Sequence, residues 1–512
     1  MLHIGTEPLR EALLSGQHSR PDVETFAPVL ADFIRDDTGA LGSWFGYDEV
    51  PTLRGDPSRL RAMIDRDIVA IDELIAVQLD AVLHHPRLQR LEGSWRGLAW
   101  LVRGFEPRKR LRFAVLNASW RDLERDIARA SEFDQSNVFR LIYESEFGRA
   151  GGEPFGLLVI DHELRHRPGT RAAVDTAPVD DVSLMSALAS IAAAAFAPIV
   201  LGAAPALLGV DTFEDLVLAS DVTAVMNDDD HTRWRVATTR EDMRFICVTM
   251  PRILARPRWV PHLEHEGAWR YEEYAPTTRE RSWFVAGYAF AAAVGRANVN
   301  HNWPADVRGI GTDRIGGGLV LGLPEEPFEV GPETIWPRTS LSIGLTATQE
   351  CALALAGLMP LNTLPFGEAG FASVYSLQAI PATAPGRDPS AAEANRRLSA
   401  QISSILCVSR FAHYIKAIGR ELTGSFSTAQ DIEKRLQGWL ARYTNANPTS
   451  DPDSRANRPL VQGRVSVREI DGRPGVFGCV IHLQPHFQLD DVSTTFRLVT
   501  GLNTTGAEAM PI

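Results

Sequence analysis

Apolar residues in this chain recur at two incompatible spacings, and the switch between them bounds the fold. From Arg59 to His84 they fall at Leu60, Ile64, Ile68, Ile71, Ile75 and Leu79, and after Leu83 at Leu88, Leu91, Trp95, Leu98 and Val102. Steps of three and four place each set along one face of a helix. Near the C-terminus, Val465 and Val467 alternate with Arg464, Ser466 and Arg468. Ile481, Leu483, Phe487 and Leu489 alternate with His482, Gln484, His486 and Gln488, and Phe496 and Leu498 with Thr495 and Arg497. Period two with one polar face marks half-buried antiparallel strands. The two together predict an α+β fold, a mixed α/β body followed by a C-terminal antiparallel module.

Other segments fill in the body. Strand-like runs lie at Phe113 to Leu116, Phe155 to Ile160 and Phe245 to Met250. Helical runs lie at Leu9 to Leu14, Phe26 to Ile34, Leu184 to Phe196, Ser282 to Val294, Ala392 to Leu422 and Ala429 to Tyr443. In the helix after Pro86, the apolar stripe is expected to face the core, with Arg87, Gln89, Arg90 and Glu92 on the wet side. Residues 37–57 carry Gly, Pro and Asp at short intervals and read as an extended linker. The polar run NANPTSDPDSRANRP, Asn445 to Pro459, reads as a hinge. The expected domains are 1–58 (N-terminal helices and linker), 59–450 (body) and 451–512 (β module). That module is a sheet of about three strands, with Asp471-Gly472 and Pro474-Gly475 in its first turn and Pro485 at an edge or bulge. So small a sheet leaves its edges open, either covered by its own body or available to a strand from another chain.

Charge and composition exclude several classes. Lys plus Arg is 52 against 64 Asp plus Glu, a net charge of −12, which argues against a nucleic-acid-binding surface. Cys247, Cys351, Cys407 and Cys479 lie far apart, so buried reduced thiols are expected in place of disulfides or a zinc site. The N-terminus shows no basic and apolar leader. The most apolar stretch, Leu184 to Leu208, is rich in Ala and broken by Pro198 and Pro205, which fits a buried helix followed by a turn better than a membrane span. A bacterial cytoplasmic location is expected, with no membrane insertion.

Candidate chemistry is weak throughout, and no cofactor or metal is expected. His84-His85 point apart on a helix, and His262, Glu264 and His265 lack the HExxH order that places two imidazoles on one face. Asp228 to Asp230 is a solvated acidic run. GIGTDRIGGGLVLGLP lacks the Lys-Ser/Thr ending of a phosphate loop. Asp161, at a strand end after Gly151, Gly152 and Pro154, is read as a structural carboxylate. Arg410, His413 and Lys416 share a helix face; a buried Arg with its fork satisfied would fix helix packing there.

Four blocks in order carry a resemblance: LEGSWRGL with Trp95 and Arg96, GGEPFG with Gly152 and Pro154, RFAHYIK with Arg410 and His413, and GVFGCVIHLQPHFQL. Together they resemble the large sheath subunit of bacterial type VI secretion systems, a contractile injection machine. The Arg-Ala pair at 149–150 and Arg258-Trp259 depart from the pattern. The resemblance implies a structural subunit and not an enzyme. It implies pairing with a small sheath subunit, assembly into six-membered rings and a helical sheath around inner-tube hexamers on a baseplate, and contraction that drives effector delivery. It implies strand sharing at the β module, with Val465, Val467, Ile481, Leu483, Phe487 and Leu489 at the subunit interface. It also implies recycling by a AAA+ unfoldase that grips an N-terminal helix, here Leu9, Leu13 and Leu14. The alternatives are a soluble metal-dependent hydrolase using Asp161, His262 and Glu264, and a monomeric adaptor that captures one peptide.

Overall fold

A computed structural model describes residues 9–14, 39–105, 111–147, 151–168, 179–219, 221–260, 271–310, 315–329, 335–364, 368–379, 400–423, 428–447, 451–469 and 477–486. The chain forms two compact units, Met1–Gln89 with Arg258–Arg281, and Arg90–Pro257 with Ser282–Ile512. The sequence boundaries at 58 and 450 follow changes in composition, whereas these units follow compactness.

The smaller unit holds helices α1 (Leu9–Leu14), α2 (Ala40–Phe45), α3 (Val50–Gly55) and α4 (Pro57–Leu83). Residues 40–55 are therefore two short helices and not the extended linker expected. The Gly, Pro and Asp residues that suggested a linker are helix punctuation. Gly46, at φ 91°, ends α2, Pro51 sits in the first turn of α3, and Asp56 accepts from the amides of Ser58 and Arg59 to cap α4. At its 27 residues α4 is about 40 Å long. Its only buried residue is Asp67, which accepts from Arg10 Nε at 2.7 Å and from Trp44 Nε1 at 2.9 Å. Burial raises the Asp67 pKa, but the bonds from Arg10 and Trp44 outweigh it and hold the carboxyl below its usual range.

The larger unit is built on a parallel sheet of β1 (Leu158–Leu164), β2 (Ile199–Ala203), β3 (Ile246–Met250) and β4 (Leu358–Pro360), in that order. Strands β2 and β3 are buried at every position. Alternation sends Ile199, Leu201, Ile246, Val248 and Met250 into one buried cluster and Val200 and Cys247 into another, so both faces are covered. Helices α7 (Asp181–Ala195) and α8 (Gly287–His301) belong to these two clusters. The apolar run from Leu184 is thus helix, turn and then strand: Phe196 at φ 52° closes α7, and the residues expected as a turn open β2. A fully buried parallel strand has no alternation to separate it from a helix by pattern.

Helix α5 is Pro86–Arg103 and α6 is Trp120–Arg129. Between them, residues 111–119 are neither helix nor strand and join no sheet, so the strand expected at Phe113 to Leu116 has no ladder in the described chain. Toward the C-terminus, α10 (Ile402–Thr423) and α11 (Ala429–Ala441) precede the antiparallel pair β5 (Leu460–Glu469) and β6 (Phe477–Pro485). The expected hinge contains a short helix, Pro452–Asn457, capped by Asp451. Pro485 ends β6 opposite Leu460, beside a register shift. Phe26 to Ile34, the turn at 471–475, Phe487, Leu489, and Phe496 to Leu498 lie outside the described residues. Cys247 and Cys407 are buried as expected, but Cys351 is half-buried and Cys479 exposed.

Candidate assembly surfaces

The LEGSWRGL block is organised around Glu92. Its carboxylate accepts from Arg96 Nε at 2.8 Å, Arg256 Nε at 2.7 Å and Ser282 Oγ at 2.5 Å. Burial raises the Glu92 pKa, but Ser282 and Arg256 more than offset it and keep the carboxyl ionised below its usual range. Glycines let α5 come this close. A Cβ on Gly93 would lie 2.1 Å from the Trp283 carbonyl oxygen, and one on Gly97 2.8 Å from the Tyr288 ring. The packed face of α5 is therefore Gly93, Gly97 and Leu101. The apolar stripe divides: Leu91 is 55% exposed and Trp95 62%, whereas Leu98 packs against the buried cluster that holds Leu101, and Leu88 and Val102 are half-buried. The expected orientation holds in part: Arg87 and Arg90 are exposed, but Glu92 is a half-buried partner and not a wet-side residue. The signal was the four-residue spacing of Gly93 and Gly97, which puts two residues without side chains on one face and permits backbone contact there.

The second block shapes the entry to β1. A Cβ on Gly152 would lie 2.0 Å from the Glu146 carbonyl oxygen, and the Glu153 amide donates to Glu146 Oε2 at 2.8 Å. Pro154 follows, half-buried. Asp161 sits on β1 with its pKa raised by burial, which Ser94 and Arg90 only partly counter. His262 and Glu264 lie outside the described residues. Among the described residues no three His, Cys, Asp or Glu side chains are grouped to hold a metal, and no helix is long and apolar enough to cross a membrane.

On α10 the buried member of the third block is His413 and not Arg410. His413 is 3% exposed and donates from Nε2 to the Ala195 carbonyl at 3.1 Å, at the C-terminal end of α7. Burial pushes its pKa down to about 4, with the Ala195 carbonyl opposing. Lys416 places its ammonium 4.8–4.9 Å from the ring centres of Tyr143, Phe147 and Phe196. Arg410 lies over the Tyr414 ring at 4.7 Å, half-buried, so the expected satisfied fork is a stacked guanidinium. These contacts tie α10 to the body.

The fourth block supplies β6, whose Ile481 and Leu483 pack against a buried cluster of Val465 and Val467 on β5 with Phe411, Ile432, Leu436 and Leu440. Their side chains serve this module's own core. What they leave for a partner is main chain at a strand edge.

Two further elements present apolar residues to solvent, and a third, α1, does so only in part. Residues 112–119 are all exposed, with Phe113 at 42% and Val115 at 64%. Along α4, Ile64, Ile68, Ile75 and Val82 are exposed on one face. In α1, Leu13 and Leu14 are half-buried.

Comparison with known proteins places the chain in a family. Residues 65–378 match the family model of the EvpB/VC_A0108 tail sheath N-terminal domain, and residues 391–502 match the EvpB/VC_A0108 tail sheath gpW/gp25-like domain. The chain is 30% identical over 499 residues to the type VI secretion system sheath protein TssC1 of Pseudomonas aeruginosa PAO1, covering 96% of this chain and 94% of that protein. A chain of the anti-feeding prophage baseplate structure aligns with TM-score 0.31 and 11% identity over 60% of this chain and 64% of its own, a likeness too slight to bear on function. Kinship over nearly the whole length, under models that cover both halves, makes the conclusion plain: the chain belongs to the VipB/EvpB tail-sheath family of type VI secretion systems and is a structural sheath protein, not an enzyme.

Proposed function

We propose that this chain is the large subunit of a contractile injection sheath. It pairs with a small sheath subunit, and the pairs stack as six-membered rings into a helical tube in the bacterial cytoplasm. The tube surrounds inner-tube hexamers on a baseplate, and its contraction drives effector delivery. The observation that carries the pairing is the segment Leu111–Ser119. Residues 112–119 are all exposed and include the apolar run Phe113 to Leu116, yet the segment pairs with no strand among the described residues. An exposed, apolar, unpaired segment of this kind can add to a partner's sheet by β-augmentation. The exposed stripe of α4 supports the same reading, because a 27-residue helix with apolar residues at Ile64, Ile68, Ile75 and Val82 suits a helical partner. The C-terminal module, 451–512, is the part that shares strands between neighbouring subunits. The N-terminal helix with Leu9, Leu13 and Leu14 is the grip for a AAA+ recycling unfoldase.

The test is expression with and without the small subunit encoded beside it. Alone, the chain should aggregate or remain bound to chaperones, because strand and apolar helix face are uncovered. Together, the two should co-purify in fixed ratio, and V115P should abolish that complex by removing an amide and fixing the backbone in mid-strand. A wild-type chain that is monodisperse alone at high concentration contradicts the proposal.

A further inference from the structure

The chain passes between its two units three times, after Gln89, after Pro257 and after Arg281. In the larger unit all three passages start beside one carboxylate. Glu92 lies just past the first, Arg256 just before the second and Ser282 directly after the third. Arg256 Nε donates to Glu92 Oε1 at 2.7 Å, and Ser282 Oγ donates to Glu92 Oε2 at 2.5 Å. The two oxygens are thus divided between the second and third passages, while the Glu92 backbone belongs to the first. Arg96 adds a donor from within α5.

The main chain brings these groups together. Ile253–Leu254 and Trp283–Phe284 form a two-stranded antiparallel ribbon, and the Ala255 amide donates to the Ser282 carbonyl at 2.9 Å, one step further along. Residues 258–281 therefore leave from, and return to, adjacent ends of one ribbon. Helix α5 meets that ribbon at Gly93, where a Cβ would lie 2.1 Å from the Trp283 carbonyl oxygen. Glu92 precedes this contact in sequence, and its side chain, 15% exposed, is sheltered enough for charge-assisted bonds to gain strength. The smaller unit has fastenings of its own. Gln89 Nε2 donates to the Arg279 carbonyl at 2.9 Å, Tyr271 Oη donates to Asp80 Oδ1 at 2.5 Å, and His84 Nε2 lies 3.2 Å from Glu273 Oε1. Glu273 also accepts from the Trp259 amide at 2.9 Å. Each unit therefore ties the passages together within itself.

We infer that Glu92 is a clasp that makes the three passages one joint, so that a pull on the smaller unit reaches α5 and both ribbon strands together. A carboxylate suits this task. It offers two oxygens, accepts several donors at once, and holds a guanidinium more strongly than a neutral amide would. Without the charge, each passage opens on its own.

The test is hydrogen exchange, read by mass spectrometry, of the full chain purified with its co-expressed small subunit. E92Q keeps the shape of the side chain and removes its charge. Peptides covering 86–92, 254–260 and 279–285 should exchange about tenfold faster together, with β2 and β3 changed much less. L188A is the control, because Leu188 is buried in the cluster shared with β2 and β3. It should speed exchange in those strands and leave the three passages near the wild-type rate. S282A should quicken the second passage as well as the third, and should add little once E92Q is present. E92D, with the charge on a shorter stem, should restore part of the protection. A rise confined to 86–92 overturns the joint, as does a uniform rise like that of L188A across the chain, or no change. The readout is the same in a complex that never polymerises, so failure of the sheath reading and failure of the clasp are told apart.

Discussion

Single residues in this chain divide into those that hold the fold and those that face outward, and the LEGSWRGL block contains both. Removing Glu92 takes away the carboxylate that Arg96, Ser282 and Arg256, whose side chain is 7% exposed, share. E92A should therefore destabilise the larger unit by about 3 kcal/mol, read as a lowered denaturation midpoint in the co-purified complex. G97V should fail similarly, because the added atoms meet the Tyr288 and Phe284 rings. Trp95 is the control. W95A should change stability by less than about 0.5 kcal/mol while weakening assembly, and a large loss of stability would show that it packs internally. His413 gives the residue scale its pH dependence. Its folded pKa, about 4, lies below the ordinary 6.5, so the unfolded chain binds the extra proton. The stability it contributes is intact above pH 6.5 and is lost as the pH falls toward 4. H413Q should flatten that part of the stability–pH curve, and an unchanged slope would contradict the assignment.

At the scale of elements, the helices with a solvent face were the most legible in the sequence, and their partners the least. Period alone placed α4, α5 and α11 and the alternating strands β5 and β6. It could not separate β2 from the helix before it, because Ile199 to Ala203 is buried on both sides and so carries no alternation. It read 37–57 as linker because helix caps and turns use the same Gly, Pro and Asp. It also assumed that an apolar stripe faces its own core. On α5 that holds for Leu98 and not for Leu91 and Trp95, which look outward while Gly93 and Gly97 bring the helix close. The block Arg410 to Lys416 was placed on the right helix, but burial fell to His413, since only the fold brings the end of α7 beside it. One consequence concerns α2 and α3. Deleting about six residues there should remove a helix and expose buried Leu53 or Phe45, not shorten a tether. The deletion should lower the denaturation midpoint of the smaller unit, and a variant with an unchanged midpoint and only shorter tubes would restore the linker reading. On α4, I68E should leave the circular dichroism of the chain unchanged while preventing co-purification with the small subunit, because Ile68 is 50% exposed.

The whole molecule combines a covered parallel sheet with several elements that end in solvent: the segment 112–119, the stripe of α4, and the main-chain edge of β6. A catalyst or a one-peptide adaptor has no use for so many unpaired surfaces, whereas a sheath subunit must bind its partner and its neighbours at once. The measurement that bears most directly on this is electron cryo-microscopy of the chain co-expressed with its small subunit. The account predicts long hollow tubes of six-membered rings, with residues 111–119 paired to a strand of the small subunit and the edge of β6 occupied by a strand from a neighbouring protomer. Discrete one-to-one complexes that never polymerise, or tubes in which both of those edges stay empty, would contradict it.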